Sequence, residues 1–271
     1  MYTCRYCQNK LSTMFVDLGF APLSNDYIEK QNENKGQLAL PLKAAFCEYC
    51  KLVQTLDFEM PDQIFNSNYK YFSSYSKSWL QHCKNYVDMI VKRLSLRSDS
   101  VVIEIASNDG YLLQYFKDSP VGIEPSERVA KAAMQNGIDT IIAFWDSKFA
   151  DKLEKKADLI IANNVLAHVP DIGDFVYGMK LGLKEKGIVT IEFPHLLNLI
   201  RYNQFDTIYH EHYSYLSILA VMNIFKDKGL KIFDIEKLDT HGGSVRVYAA
   251  HEENQDVDIR YSVKEALLEE E

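Results

Sequence analysis

The chain has 271 residues, of which 47% are hydrophobic, and its formal net charge is −8. This length suffices for one large domain and a smaller one, and the acidic balance without a concentrated basic run argues against a nucleic-acid surface. No apolar run approaches the roughly 18 residues of a membrane span and no signal peptide opens the chain, so we expect a cytoplasmic protein without a membrane partner.

Four of the five cysteines form two C-x-x-C pairs, Cys4 with Cys7 and Cys47 with Cys50. Two residues between thiolates let one tight turn present both sulfurs to a single ion, and two such turns complete a tetrahedral set. In a reducing compartment paired cysteines more often hold metal than form disulfides. Two unrelated pairs are the alternative, but the spacing predicts a structural Zn²⁺. Cys83 is expected to be simply buried.

Composition and hydrophobic periodicity divide the chain into four predicted parts. Residues 1–75 are rich in turn formers and aromatics and too irregular for a large core, which is typical of a zinc-stapled module. Residues 76–98 carry apolar side chains at helical spacing and predict a connecting helix. Residues 99–252 alternate short apolar strands with helix-length stretches, and residues 253–271 form a tail with helical character.

The strand pattern of residues 99–252 predicts an α/β fold with a parallel sheet covered on both faces. Two last strands without a helix between them suggest a closing antiparallel hairpin. Five parallel strands plus such a hairpin are the arrangement of the Rossmann-like class I methyltransferases. The expected strands are 101–105, 120–124, 139–143, 157–163 and 187–193, with 230–238 and 243–250 forming the hairpin.

A ligand site is expected where the first two parallel strands end, because open α/β sheets bind ligands at the carboxyl ends of their strands. The first strand leads from Glu104 through small residues to Gly110 and into an expected helix at 111–116. Glu124 ends the second strand and can accept hydrogen bonds from ribose hydroxyls. The loop lacks the G-x-G-x-x-G of nicotinamide enzymes. Its acidic start suits the cationic S-adenosylmethionine better, although ordinary strand-end charges are the alternative.

Further cofactor contacts are expected after the third and fourth strands. Either Phe144 or Trp145 could cover an adenine, with packing in the core as the alternative, and Asn163 or Asn164 would line the pocket. The predicted cofactor residues are Glu104, Ala106, Asn108, Gly110, Glu124, Pro125, Phe144, Trp145, Asn163 and Asn164.

At this point the motifs match a known family. The chain resembles the bacterial zinc-containing sugar C-methyltransferases, which methylate C3 of nucleotide-linked 4-keto-deoxysugars. The resemblance implies S-adenosylmethionine and zinc as cofactors, a nucleotide-sugar substrate, and a place in deoxysugar or polysaccharide biosynthesis. The shared motifs, in chain order, are the C-x-x-C pair, DLGFAPLSNDYI, YKYFSS, EIASNDGYLL, GIEPS, NVLAHVPD, EFPHL, DTIYHEHYSYLS and HGGSVRVY.

The resemblance also implies roles for individual residues. A base removes the proton next to the C4 ketone, and the resulting enolate carbon attacks the methyl group. His212 would be that base, Tyr209 and Glu211 would hold the sugar, and His168 matches the family's histidine after the fourth strand. From the YKYFSS motif, Tyr69 or Tyr71 would reach the sugar, and the choice between them stays open.

The YHEHYSY segment indicates a function even without the family resemblance, because its two histidines, one glutamate and three tyrosines are poorly suited to a hydrophobic core. Metal binding competes, because alternation in an extended segment would put His210 and His212 on one face. The HEH spacing lacks the helical i, i+4 arrangement of metalloprotease ligands. A structural hydrogen-bond cluster is the third reading. His241 of HGGS is expected in a turn near the substrate entrance or in a structural role.

Two features depart from the family pattern. Ala106 stands where many methyltransferases have glycine, and its small methyl should still allow binding. Family members also continue into a C-terminal α/β domain that helps to hold the nucleotide-sugar. We therefore expect a truncated chain, a naturally short family member, or a partner chain that supplies such a domain. O- or N-methylation of a related carbohydrate, or a non-catalytic subunit role, are the rival hypotheses.

Overall fold

The computed structural model describes residues 2–24, 28–56, 72–118 and 120–271. Its strands are β1 (Thr13–Ala21), β2 (Leu40–Phe46), β3 (Val53–Thr55), β4 (Val102–Ile105), β5 (Val121–Ile123), β6 (Asp139–Ile141), β7 (Ala157–Asn163), β8 (Leu183–Pro194), β9 (Ser214–Tyr215), β10 (Leu230–Leu238) and β11 (Ser244–His251). Its helices are α1 (Lys77–Leu94), α2 (Glu127–Gln135), α3 (Ser147–Asp151), α4 (Ile172–Gly182), α5 (Leu196–Arg201), α6 (Ile218–Asp227) and α7 (Tyr261–Glu270).

The larger sheet has seven strands in the order β10-β11-β8-β7-β4-β5-β6. Neighbours from β8 to β6 run parallel, whereas β11 is antiparallel to both β8 and β10. This confirms the predicted Rossmann-like α/β class with five parallel strands and a closing hairpin. The chain order reverses at β4, so the carboxyl ends of β4 and β7 form the crevice where such sheets bind ligands.

Helices cover both faces of this sheet. The connecting helix α1 buries Cys83, Tyr86, Val87 and Ile90, a spacing that places them on one face of the helix. These side chains pack on one face of the sheet, together with Leu112 and other apolar residues. Helices α4, α6 and α7 pack on the opposite face.

The expected helix at residues 111–116 is wrong. The segment forms one turn of 3-10 helix at Leu113–Tyr115 instead. Its first residues, Tyr111, Leu112 and Leu113, are all buried. Three consecutive buried side chains cannot lie on a single face of an α-helix, and they pack beneath α1.

The smaller sheet is antiparallel, in the order β1-β2-β3-β9. Its last strand comes from far along the chain, where Ser214 pairs with Gln54 and Tyr215 with Val53. The N-terminal region is therefore joined by main-chain hydrogen bonds to the YHEHYSY segment. None of the helices in the described parts of the chain combines the length and apolarity needed to cross a bilayer.

Candidate functional site

The four paired cysteines come together at one point beside the smaller sheet. Cys4 Sγ lies 3.5 Å from Cys50 Sγ, and Cys7 Sγ lies 3.5 Å from Cys47 Sγ. All four sulfurs lie within 4.8 Å of one another. Tetrahedral zinc with bonds of about 2.3 Å needs sulfurs about 3.8 Å apart, so the donor set fits Zn²⁺. A closed set of four thiolates has no open position and braces the fold.

The loop after β4 is bent so that its backbone can approach a ligand. Ala106, Asn108 and Gly110 have φ angles of +56°, +50° and +79°. This left-handed region costs a residue with a Cβ about 1–2 kcal/mol. Glycine at position 106 would adopt the same φ without that cost, which explains why a glycine is common there in other methyltransferases.

Glu124 holds this loop from the end of β5. Its Oε2 accepts a hydrogen bond from the Asn108 backbone N–H at 3.0 Å, and its Oε1 accepts one from Ser126 at 2.8 Å. Burial raises the pKa of Glu124 to about 7, although both backbone hydrogen bonds lower it. Each oxygen keeps a second lone pair for a ribose hydroxyl. Pro125 is half-buried in the turn between these two contacts.

Several buried polar atoms around the loop lack a partner of standard geometry among the described residues. They include both oxygens of Glu104, the Oδ1 of Asp109, both side-chain amide atoms of Asn163 and the Oδ1 of Asn164. Glu104 is completely buried, and burial raises its pKa well above the ordinary range, although the neighbouring Tyr111 hydroxyl lowers it. Such groups are costly unless a ligand satisfies them. An ammonium, a ribose and an adenine amine, as in S-adenosylmethionine, offer the matching donors and acceptors.

The two aromatic residues after β6 lie in different environments. Phe144 is 53% exposed, whereas Trp145 is buried and donates its indole N–H to the Phe175 carbonyl at 3.2 Å. Gly178 and Gly182 of α4 make room for the indole, since a Cβ on either would come within 3.0 Å of it. The structure therefore places Trp145 in the core. Of the two, Phe144 is the side chain exposed beside β6.

Sequence reasoning did not identify the residues that close the loop from the N-terminal side. The Ser73 backbone N–H donates to Asn108 Oδ1 at 2.9 Å, and the Ser74 hydroxyl donates to Asp109 Oδ2. These serines end the YKYFSS motif, and only that position could have indicated them. Tyr69 and Tyr71 of the same motif lie outside the described residues.

The predicted catalytic residues of the YHEH motif meet the histidine that follows β7. The His168 and His212 rings lie edge to face with centroids 4.6 Å apart, and the Tyr209 hydroxyl lies 2.8 Å from His212 Nε2. Glu211 is buried and accepts a hydrogen bond from Ser24 of the N-terminal region at 2.7 Å. Four residues predicted to act together are thus neighbours.

Backbone carbonyls define the tautomers of both histidines. His212 Nδ1 lies 2.8 Å from the Thr207 carbonyl, and His168 Nδ1 lies 2.9 Å from the Glu211 carbonyl. A carbonyl only accepts, so both Nδ1 atoms carry hydrogen and both Nε2 atoms carry lone pairs. Burial lowers the pKa of His212 to about 3 and also lowers the pKa of His168. Both rings are therefore neutral near pH 7, and the Tyr209 hydroxyl donates to His212.

The expectation that His210 and His212 share a face is wrong. The segment folds into a turn, in which the His212 N–H bonds to the Tyr209 carbonyl at 3.0 Å. His210 Nε2 lies 3.2 Å from the Pro41 carbonyl of β2, whereas His212 faces Tyr209 and His168. In the described parts of the chain, the four cysteines form the one group of three or more His, Cys, Asp or Glu residues arranged to hold a metal.

Trp79 of α1 lies among Tyr111, which follows the loop after β4, and two further histidines, which the sequence did not indicate. Its ring centroid lies 5.9 Å from Tyr111, 5.0 Å from His82 and 5.1 Å from His241. His241 lies in the turn between β10 and β11 with a φ of +50°. The loop after β4 and His168 after β7 leave the same edge of the sheet, because β4 and β7 are paired neighbours.

A buried ion pair links β8 to β11 and to helix α1 beside Trp79. Glu192, near the end of β8, accepts hydrogen bonds from Arg246 on one oxygen, at 2.6 and 2.9 Å, and its other oxygen lies 2.8 Å from His82 Nε2. Both charged residues are almost completely buried. A buried ion pair in which both carboxylate oxygens have partners holds its side chains in one geometry.

Comparison with known proteins agrees with this architecture. Residues 4–65 match the family described as "Putative zinc binding domain", and residues 79–235 match the family described as "Methyltransferase domain". The chain is 32% identical over 273 residues to the C-methyltransferase NovU of Streptomyces niveus. The alignment covers 98% of this chain but 64% of NovU, so the chain spans about two thirds of the length of that relative.

Solved structures share the fold at low sequence identity. The PH0226 protein of Pyrococcus horikoshii OT3 aligns with a TM-score of 0.54 and 16% identity, covering 72% of this chain and 99% of its own. An S-adenosylmethionine-dependent methyltransferase of Clostridium acetobutylicum gives a TM-score of 0.51 and 13% identity, covering 70% and 95%. The Rossmann-like methyltransferase fold and the zinc-binding cysteine cluster are both present. With a family match over more than half of its residues, the chain belongs to the methyltransferase-domain family, preceded by a zinc-binding domain.

Proposed function

We propose that the protein methylates C3 of a nucleotide-linked 4-keto-deoxysugar with S-adenosylmethionine, in deoxysugar or surface-polysaccharide biosynthesis. The main support is the cluster of His168, Tyr209 and His212. His168 follows β7, the strand next to β4, so the cluster lies at the edge of the sheet where the loop after β4 also begins. Forming a bond to carbon requires a base and an enolate-stabilising donor beside the methyl donor. The relative NovU is itself named a C-methyltransferase.

In this proposal the loop after β4 holds the cofactor. Glu104 pairs with the ammonium group, Glu124 accepts from the ribose, and Asn163 or Asn164 reaches the adenine side. S-adenosylmethionine supplies an electrophilic methyl group on a sulfonium. The unsatisfied buried atoms of Glu104 and Asn163 support this assignment, because the cofactor would supply the partners they lack.

The protein residues perform the proton chemistry. The Nε2 lone pair of His212 accepts the C3 proton, and the C–H electron pair forms the C3–C4 double bond as the C4 oxygen becomes negative. The Tyr209 hydroxyl, released from His212, donates to that oxygen. The cofactor would supply the methyl group that C3 takes and would keep the S–C electron pair on its sulfur. The C4 ketone then re-forms, and His212 returns its proton to solvent. The enolate beside the imidazolium favours the protonated ring during this step.

The proposal gives each part of the chain a task. Residues 1–75 are a zinc module that contributes to the substrate site, and residues 76–98 are a connecting helix. Residues 99–252 bind the cofactor and carry out the reaction, and residues 253–271 form a tail with helical character. Thiolate ligation of zinc favours a reducing compartment, so the proposal places the protein in the cytoplasm.

Deuterium exchange at C3 of a nucleoside-diphosphate 4-keto-deoxysugar, measured by NMR in D2O without cofactor, tests the base. His212→Asn keeps a donor for the Thr207 carbonyl but loses the Nε2 lone pair, so exchange should fall about 10²- to 10⁴-fold. His210→Gln is the matched control, because it can still donate to the Pro41 carbonyl and should keep wild-type exchange.

Three results would refute parts of the proposal. Undiminished exchange in His212→Asn would show that another group is the base. Absence of S-adenosylmethionine binding in calorimetry of the wild-type protein would reject the methyltransferase activity itself. Methylation of a sugar oxygen with no C3 exchange would favour an O-methyltransferase instead.

A further inference from the structure

Arg5 lies between the two cysteines of the first zinc-binding turn and points away from them. Its Nη1 donates to the Pro170 carbonyl at 3.1 Å, and its Nη2 donates to the Thr55 carbonyl at 3.3 Å. Its guanidinium carbon lies 4.9 Å from the centre of the Tyr213 ring. One side chain therefore contacts three segments that are far apart in sequence.

Its backbone is held as well. The Arg5 N–H donates to Gln54 Oε1 at 2.9 Å, and Gln54 belongs to β3, which pairs with β9. The zinc-binding turn is thereby attached to β3 and places the guanidinium in a defined direction. Arginine suits this position because its planar fork can donate to two carbonyls in one geometry, which a lysine ammonium does less selectively.

Each segment that Arg5 contacts lies beside a proposed catalytic histidine. The Thr55 hydroxyl donates to the His212 carbonyl at 3.0 Å, and the Thr55 N–H donates to the Tyr213 carbonyl at 3.1 Å. Pro170 is two residues after His168 in the chain. The Tyr213 N–H also donates to Ala167, the residue before His168, at 2.8 Å.

We propose that Arg5 is a positioning residue, which sets the placement of His168 relative to His212 from within the zinc-binding turn. This inference rests on the proposed function only in assigning catalysis to those histidines. The zinc module then has a task beyond bracing its own sheet, because its first turn directs a side chain to the junction of the reacting groups. A misplacement of about 1 Å can cost about 10²-fold in rate, so such alignment matters for the reaction.

The test compares Arg5→Met with Arg5→Lys in the zinc-loaded full chain. Lys10→Met is the matched control, since it removes one positive charge from an exposed residue close to the same turn. The main measurement is the nuclear Overhauser effect between the His168 and His212 rings in histidine-labelled protein, which needs no substrate. Zinc content, S-adenosylmethionine affinity and C3 deuterium exchange are measured alongside.

Arg5→Met should keep one zinc per chain and wild-type cofactor affinity, lose most of the ring-to-ring signal, and reduce exchange by roughly 10- to 100-fold. Arg5→Lys should give intermediate values, and Lys10→Met should match the wild type. An unchanged ring-to-ring signal in Arg5→Met would overturn the inference. If wild type shows the signal but no exchange on any keto-sugar, the proposed function fails while the role of Arg5 in alignment stands.

A second variant covers the case in which Arg5→Met loses zinc. Thr55→Val removes the hydrogen bond to the His212 carbonyl and leaves the cysteines untouched. It should keep zinc and weaken the same ring-to-ring signal. A Thr55→Val protein with the full signal would also overturn the inference, because Thr55 carries the contact from Arg5 to His212.

Discussion

At the scale of single residues, Glu104 is the clearest sign that this protein is built around a ligand. This completely buried carboxyl has the Tyr111 hydroxyl beside it but no hydrogen bond of standard geometry among the described residues, so its charged form opposes folding. Burial raises its pKa well above the ordinary value of a glutamate. The folded state therefore prefers the protonated form, and its stability should decrease as the pH rises above about 4.5.

Glu104→Gln should have opposite effects on stability and on binding. In the absence of cofactor at pH 8 the variant should be more stable by about 1–3 kcal/mol, because the ionised form is no longer buried, and the advantage should disappear at pH 4. Its S-adenosylmethionine affinity should fall more than about tenfold, since a charge-assisted hydrogen bond is lost.

Urea unfolding at both pH values and calorimetry check these expectations. Asp139→Asn, at an exposed strand position, is the control and should change neither quantity. Wild-type cofactor affinity in Glu104→Gln would show that this carboxyl does not bind the ammonium.

At the scale of elements, Glu270 of α7 holds the start of α6. Its carboxylate accepts the backbone N–H groups of Ile218 and Leu219 at 2.6 and 2.9 Å, and it lies 2.6 Å from His195 Nε2. Negative charge at a helix N-terminus is favourable, and the Ser217 hydroxyl caps the same end. The helix follows directly after β9, so this contact also anchors the segment that carries His212.

Glu270→Ala should lower the free energy of unfolding by about 1–3 kcal/mol, because it leaves two N–H groups and a buried histidine without their partner. Denaturant unfolding measures the change. Glu265→Ala on the exposed side of the same helix is the control, with an expected change below about 0.5 kcal/mol. Equal losses in the two variants would mean that the carboxylate of Glu270 contributes nothing specific.

At the scale of the whole molecule, the smaller sheet joins the zinc cluster to residues 209–215, the proposed catalytic segment. Strand β9 pairs with β3, Ser24 bonds to Glu211, and His210 lies against Pro41. The contacts named here lie outside the large sheet, whose seven strands are hydrogen-bonded to one another. Metal loss should therefore loosen one part of the molecule and leave the other ordered.

Metal analysis should return about one zinc per chain in wild type and much less in Cys47→Ser, which removes one of four ligands. Hydrogen–deuterium exchange in Cys47→Ser should become faster in β1, β2, β3 and residues 209–215, while β4 to β8 stay protected. Cys83→Ser, at a cysteine outside the cluster, is the control for zinc content. Wild-type protection in a metal-free Cys47→Ser protein would contradict the structural role of the ion.

The sequence by itself determined the features that depend on short stretches of chain. Apolar runs predicted the strands of the large sheet, because a strand buried on both faces must be apolar throughout. The C-x-x-C spacing predicted the donor set for zinc, because each pair acts within one turn. The loop between Glu104 and Gly110 predicted a ligand crevice, because an acidic strand end followed by a turn of small residues is also a signal within one short stretch of chain.

Only the tertiary structure decided which side chains meet. It buried Trp145 against two glycines of α4, replaced the helix expected at 111–116 with a single turn, and directed His210 and His212 to different neighbours. It also brought Ser73 to the cofactor loop and Arg5 to the histidines. These outcomes depend on packing between segments that are distant in sequence. Residue type and spacing say which groups can do chemistry, and the close-packed interior selects which of them lie together.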